Sequence, residues 1–234
     1  KTDNEFEEVV DELSVTKGTK YLFVDEIQNI KNFEEIINAF RNDGDYSIFI
    51  TGSNSYLLSG DLSTKLTGRY IEFELFTLNF NEYLSMKKFY NKTIDSNLHV
   101  ELDKFLREGG FPRTVRFDTF EEKQVYAKAV IDEIFKKDIK RRVKIRNVEV
   151  FEAVRNFIIN NFGATMSIQS LQHSLQKAGL SVQRATLKRY IGELVSAKIL
   201  YQCNRFDMKS KKALSGEKKY YLADTSFYFA FNTD

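Results

Sequence analysis

The 234-residue chain has one cysteine (Cys203), one proline (Pro112), two histidines (His99 and His173) and no tryptophan. A single cysteine excludes an intramolecular disulfide and any cysteine-based zinc site. With only two histidines beside it, metal centres built on nitrogen and sulfur ligands are excluded as well. Long apolar runs are missing too. Nothing approaches the roughly 18 consecutive apolar residues a membrane helix needs, and no charged-then-apolar leader opens the sequence. No membrane partner and a cytoplasmic location are therefore expected.

Charge is scarce only in the sum. The formal net charge is +2, yet residues 1–135 carry 16 basic and 25 acidic side chains, while residues 136–219 carry 19 and 6. An acidic block followed by a basic one points to two modules with different partners. The basic one faces either a polyanion or simply water along solvated helix faces.

The hydrophobic pattern gives the order of elements. Phe6, Val9, Val10 and Leu13 recur at helical spacing. Tyr21-Leu22-Phe23-Val24 is a short continuous apolar run, predicting a strand buried on both faces of a parallel sheet. Asn32 is placed to cap a helix in which Phe33, Ile36, Ile37 and Phe40 share a face. A second buried strand at 46–50 stops at Thr51-Gly52-Ser53, completing a βαβ unit. Residues 71–76 alternate in character and predict a further strand nearer an edge. Helical patterns then cover 82–89, 98–107 and 120–142, broken by Gly109-Gly110-Phe111-Pro112. Helices at 148–162, 167–178 and 181–197 precede strands at 199–206 and 218–222 joined by a lysine-rich loop, which is a winged-helix order.

Chemistry concentrates where the first two strands end. Asp25 and Glu26 follow the run Tyr21–Val24, at the strand end where open α/β sheets place ligands. In a P-loop enzyme the first carboxylate holds Mg²⁺, which prefers oxygen donors and keeps part of its hydration shell, and the second polarises the attacking water. Standing alone, the pair reads equally as a charged turn. Thr51, Ser53 and Asn54 supply small hydroxyl and amide groups suited to a water or a γ-phosphate, or to ordinary turn chemistry. Arg69 can stabilise phosphoryl charge, or merely be a surface arginine.

Asp25-Glu26-Ile27-Gln28, Thr51-Gly52-Ser53-Asn54-Ser55, Leu66-Thr67-Gly68-Arg69-Tyr70 and Leu78-Asn79-Phe80-Asn81-Glu82-Tyr83-Leu84 together resemble prokaryotic AAA-type ATPases that carry a C-terminal domain of unknown function. Gly109-Gly110-Phe111-Pro112, residues 138–147 and residues 218–224 continue the resemblance in order. It implies that Asp25 and Glu26 are the Walker B carboxylates, residues 51–54 the sensor-1 region, and ATP with Mg²⁺ the cofactors. Thr77 stands where the family usually has proline. No Gly-x-x-x-x-Gly-Lys-Ser/Thr occurs, so the phosphate-cradling nest is missing and the chain is expected to be an interior portion of a larger ATPase, itself inactive. The family's usual nuclease-like remainder is not expected within it.

The fold class implied is α/β. A partial P-loop parallel sheet of AAA type occupies 1–78, a helical lid 79–147 and a winged-helix domain 148–222, with 223–234 opening a further region. In the winged helix, Arg184, Lys188 and Arg189 lie on the helix that would enter a DNA major groove. Lys209, Lys211 and Lys212 lie on the wing that would touch backbone phosphates. The same module can dock protein instead. The expected partners are ATP, duplex DNA or a docking protein, and other copies in a homo-oligomer. The first reading of function is an ATPase coupling nucleotide state to nucleic-acid or protein binding; the alternative is a non-enzymatic winged-helix DNA-binding regulator.

Overall fold

In the computed structural model, which describes residues 3–15, 17–52, 70–139, 145 and 147–232, the chain divides between Phe73 and Glu74 into two units.

The first unit contains α1 (Asp3–Leu13), β1 (Lys20–Val24), α2 (Phe33–Asn42) and β2 (Tyr46–Ile50). β1 and β2 are parallel neighbours, from Lys20 opposite Tyr46 to Val24 opposite Ile50. Because strand side chains alternate between faces, Leu22, Val24, Ile48 and Ile50 share the covered side. There α2 contributes Phe33, Ile36, Ile37 and Phe40, and α1 contributes Phe6 and Val10. Burial of each such side chain stabilises the fold by about 1.5–3 kcal/mol. The opposite face differs from expectation. Tyr21 is 67% exposed and Phe23 72% exposed, with the Phe23 ring stacked on Phe49 at 4.9 Å. Among the described residues this sheet has one covering layer, and burial of a parallel strand on both faces needs two. Asn32 occupies the residue before α2 but makes no side-chain cap, because its backbone is left-handed with φ 51°. That geometry differs from the extended backbone of an N-cap.

An extended stretch runs across the boundary between the units, the second of which begins at Glu74. Ile71, Phe73 and Leu75 alternate with Glu72 and Glu74, yet residues 71–76 pair with no strand among the described residues. Glu74 instead accepts hydrogen bonds from Lys198 Nζ (2.6 Å) and Tyr201 Oη (2.9 Å). These two donors, the lysine bond first, hold its carboxyl below the usual range. Then come α3 (Phe80–Phe89), α4 (Leu98–Glu108) and α5 (Phe120–Ile134). Reciprocal capping boxes open α3 (Asn79 with Glu82) and α5 (Thr119 with Glu122), each cap worth about 1 kcal/mol. The predicted 120–142 helix is helical over its described residues, with α5 passing into a π-helical turn at Phe135–Ile139, and 140–142 lie outside the described residues.

α6 (Val148–Asn160), β3 (Thr165–Met166), α7 (Ile168–Lys177), α8 (Arg184–Ser196), β4 (Leu200–Asp207), β5 (Lys212–Leu222) and α9 (Ser226–Phe231) complete the chain. β3, β5 and β4 form an antiparallel sheet in that order. Val150, Phe151, Val154 and Ile158 on α6 meet Leu171 and Leu175 of α7 and Leu187, Ile191 and Leu194 of α8 in one core, which also takes in Ile131, Phe135 and Phe227. Residues on both sides of position 147 thus share this core. The stretch after 222 turns back as α9, placing the Phe227 ring 5.4 Å from that of Phe111.

Candidate functional site

Parallel pairing brings the C-terminal ends of β1 and β2 to one sheet edge. The ladder continues one step past the strands: Thr51 N–H donates to Val24 O at 2.9 Å and Ile27 N–H to Thr51 O at 3.0 Å. Thr51 is thereby set against the two carboxylates. Its hydroxyl donates to the Asp25 carboxylate and accepts from the Glu26 N–H at 3.2 Å. Glu26 itself is left-handed at φ 54°, a conformation that costs a residue with a Cβ about 1–2 kcal/mol. Its carboxylate accepts a hydrogen bond from the Gln28 side-chain amide. Asp25 and Glu26 are both exposed. Asp25 and Thr51 offer oxygen donors, the ligand type Mg²⁺ takes. Among the described residues no group of three or more His, Cys, Asp or Glu side chains is arranged to hold a metal ion. Ser53, Asn54 and Arg69 lie outside the described residues.

The other unit holds a cleft of about 810 Å³, lined by Arg184 and Lys188 from α8, Ser167 at the start of α7, and Gln202, Asn204, Glu217 and Lys218 from the sheet. Arg184 and Lys188 are one helical turn apart and so share a face. Arg184 Nε donates to Gln172 Oε1 at 3.1 Å, and Gln172 in turn donates to Val182 O at 2.8 Å, which orients the guanidinium. Of the predicted nucleic-acid residues, these two converge. Arg189 does not line the cleft; its guanidinium lies over the Tyr190 ring at 5.5 Å. Lys209, Lys211 and Lys212 are exposed at the far end of the β4–β5 ribbon, also outside the cleft lining. Gln202 and Asn204 gave no signal in the sequence beyond strand alternation, because their place in the cleft comes from packing of the sheet against α8.

Residues 1–84 match the family described as AAA domain, and residues 99–233 match the one described as Domain of unknown function (DUF8612). The uncharacterized protein MJ1544 of Methanocaldococcus jannaschii is 33% identical over 219 residues, which are 92% of this chain and 49% of that protein. An uncharacterized protein of Haemophilus influenzae is 29% identical over 226 residues, 96% of this chain and 56% of its own length. The chain thus spans about half the length of these relatives. Among solved structures, the Walker-type ATPase Paby2304 of Pyrococcus abyssi superposes with a TM-score of 0.58 at 15% identity, over 97% of this chain and 66% of that one. These likenesses establish an AAA-type, P-loop-ATPase-like fold. No helix among the described residues is long and apolar enough to cross a membrane. With more than half its length matched by one family, the chain belongs to the proteins that carry the domain of unknown function DUF8612.

Proposed function

We propose that this chain supplies the Mg²⁺-facing and water-orienting edge of an ATPase, together with a winged-helix module through which nucleotide state is passed to duplex DNA. One observation carries the first half: Thr51, from the strand beside β1, holds Asp25 through its hydroxyl while receiving the Glu26 N–H. A carboxylate and the next residue's backbone N–H both tied to a hydroxyl at the end of the neighbouring strand suit phosphoryl chemistry better than a plain charged turn, which needs no partner from another strand. In this reading Asp25 holds the ion, aimed by Thr51, and Glu26 orients the attacking water. Bound Mg²⁺ would neutralise charge on the β- and γ-phosphates. The roles of Ser53 and Asn54 toward ATP and of Arg69 toward phosphoryl charge are proposed from the sequence. ATP hydrolysis is proposed for the whole protein, since the phosphate-cradling motif is not among these 234 residues. The test is ATP turnover by the full-length protein with Glu26→Gln. Unchanged turnover would remove Glu26 from this role.

The second half rests on element order. Helix, strand, helix, helix and ribbon, with sheet order β3-β5-β4, is the order that supports the winged-helix reading. Arg184 and Lys188 then face a concave, cation-bearing cleft. Arg184 there would face base edges, while the wing lysines Lys209, Lys211 and Lys212 would add phosphate contacts without sequence preference. A non-enzymatic DNA-binding regulator remains the second reading, because the cleft is built without any residue of the first unit. An intact protein that binds duplex DNA but neither binds nor hydrolyses ATP would favour it.

A further inference from the structure

The β4–β5 ribbon changes register on the way to its tip. Asn204 faces Lys218 and Phe206 faces Ala213, so two steps along β4 are matched by five along β5. Gly216, at φ 122°, lies in the surplus segment and also lines the cleft. Bulges of this kind bend a strand and re-aim what lies beyond it. The arm therefore leaves from the edge of the basic cleft.

Beyond the bulge the tip is organised by Asp207. Its carboxylate accepts from Lys209 N–H (3.2 Å), Ser210 N–H (3.1 Å) and Ser210 Oγ (2.5 Å), and Lys211 completes the turn at φ 52°. On this braced turn two large apolar side chains stand in solvent: Phe206 is 56% exposed and Met208 80% exposed. Flanking them in sequence are the exposed Arg205, Lys209, Lys211 and Lys212, while the one acid of 205–212, Asp207, is spent on the turn. A turn that only reverses the chain needs neither side chain. Uncovered Met and Phe with cations on either side in sequence match the combination used by proteins that wedge an apolar side chain between base pairs while holding the flanking phosphates.

We propose that the ribbon tip is a DNA wedge, in which Met208, backed by Phe206, enters a base step from the minor groove while Lys209, Lys211 and Lys212 hold the flanking phosphates. This rests on the reading of the basic cleft as a duplex-DNA site. Cleft and arm are continuous at Gly216, so one polyanion can occupy both. A flat lipid surface reaches the tip but does not enter the cleft. Wedging of this kind kinks duplexes by roughly 20–90°.

The experiment uses the full chain and a duplex labelled at both ends, reading affinity by anisotropy and bending by energy transfer between the ends. Wild type is expected to shorten the end-to-end distance. Met208→Ala should lose most of that change with little loss of affinity and an unaltered salt slope, and Met208→Leu should restore it. Because Met208 is exposed, neither variant should disturb folding, which circular dichroism checks. Salt-sensitive binding to a duplex that stays straight, or equal bending by Met208→Ala, overturns the wedge and leaves the DNA reading standing. No duplex binding overturns both. Met208-dependent binding to phosphatidylglycerol/phosphatidylcholine vesicles, without duplex bending, reassigns the tip to lipid and overturns the proposal.

Discussion

The backbone N–H of Gly110 donates a 2.8 Å hydrogen bond to the carboxylate of Asp224, across 114 positions of chain. Asp224 is buried, and its other oxygen accepts from Ser226 N–H (3.0 Å) and Ser226 Oγ (2.5 Å). Gly110 O in turn accepts from Leu78 N–H at 2.7 Å. The Gly-Gly turn thus clips the start of α3 and the entry to α9 to one another.

This clip predicts a steric effect at Gly109. Its φ is +79°, and a Cβ there would lie 1.9 Å from Asp224 Oδ1. Gly109→Ala should cost about 2–4 kcal/mol, combining left-handed strain with overpacking. Asp224→Ala should cost about 1–3 kcal/mol by leaving the buried Gly110 N–H without a partner. Urea denaturation of both variants measures this; losses well under 1 kcal/mol would show that the clip yields.

At the sheet edge, Glu26→Gln in the full-length protein should retain nucleotide binding while lowering turnover by about 10²-fold or more, the usual scale for loss of a positioned base. Thr51→Val, which keeps the side chain's shape but removes its hydroxyl, should lower turnover by a smaller factor. The 234-residue chain by itself should show no Mg²⁺-dependent turnover. A phosphate-release assay on the three proteins distinguishes these outcomes.

Duplex binding should weaken steeply with salt, each neutralised phosphate contributing about −0.9 to the slope of log affinity against log salt. Replacing Lys211 and Lys212 together by alanine should flatten that slope by about two units for all sequences alike. Arg184→Ala, which alters the cleft, should change sequence preference where there is any. Anisotropy titrations at several salt concentrations provide the check, and salt-insensitive binding would contradict phosphate contact.

A fourth expectation concerns pH. Glu101 is fully buried, and desolvation alone would raise its pKa. Hydrogen bonds from Lys87 Nζ (2.7 Å), Asp95 N–H (2.8 Å) and Lys104 Nζ (3.1 Å) outweigh that and hold it below its ordinary value. A carboxyl whose pKa is depressed in the folded state contributes stability above its unfolded value of about 4.3, and that contribution is lost as pH falls through the folded pKa. Glu101→Gln should therefore destabilise at neutral pH, by about 3–5 kcal/mol since it strands Lys87. It should also lessen the loss of stability on acidification below about pH 4. Thermal melts of wild type and variant across that range test both effects.

Local pattern was enough for several elements. The four-residue apolar run before Asp25 and the spacing of Phe33, Ile36, Ile37 and Phe40 sufficed to place β1 and α2, because strand and helix periods differ and apolar side chains follow them. The carboxylates at the end of β1 were legible for the same reason. Asn32 misled: its residue type permits both a cap and a left-handed turn, and the chain's path into α2 selected the turn. Residues 71–76 carry a strand's alternation, but pairing is a property of two segments, and none of the described residues offers a partner.

What the sequence by itself determined is the place of the longer helices and of the strands Lys20–Val24, Tyr46–Ile50, Leu200–Asp207 and Lys212–Leu222, with the supply of chemical groups at their ends, since both depend on neighbours a few residues away. Tertiary structure alone decided which distant groups meet. It set the Thr51 hydroxyl on Asp25 across 26 positions and the Asp224 carboxylate on Gly110 across 114. It drew Arg184 and Lys188 into a cleft while leaving Arg189 on Tyr190. Such contacts are fixed by strand register and helix packing, which sum over the whole core, so no local window of residues contains them.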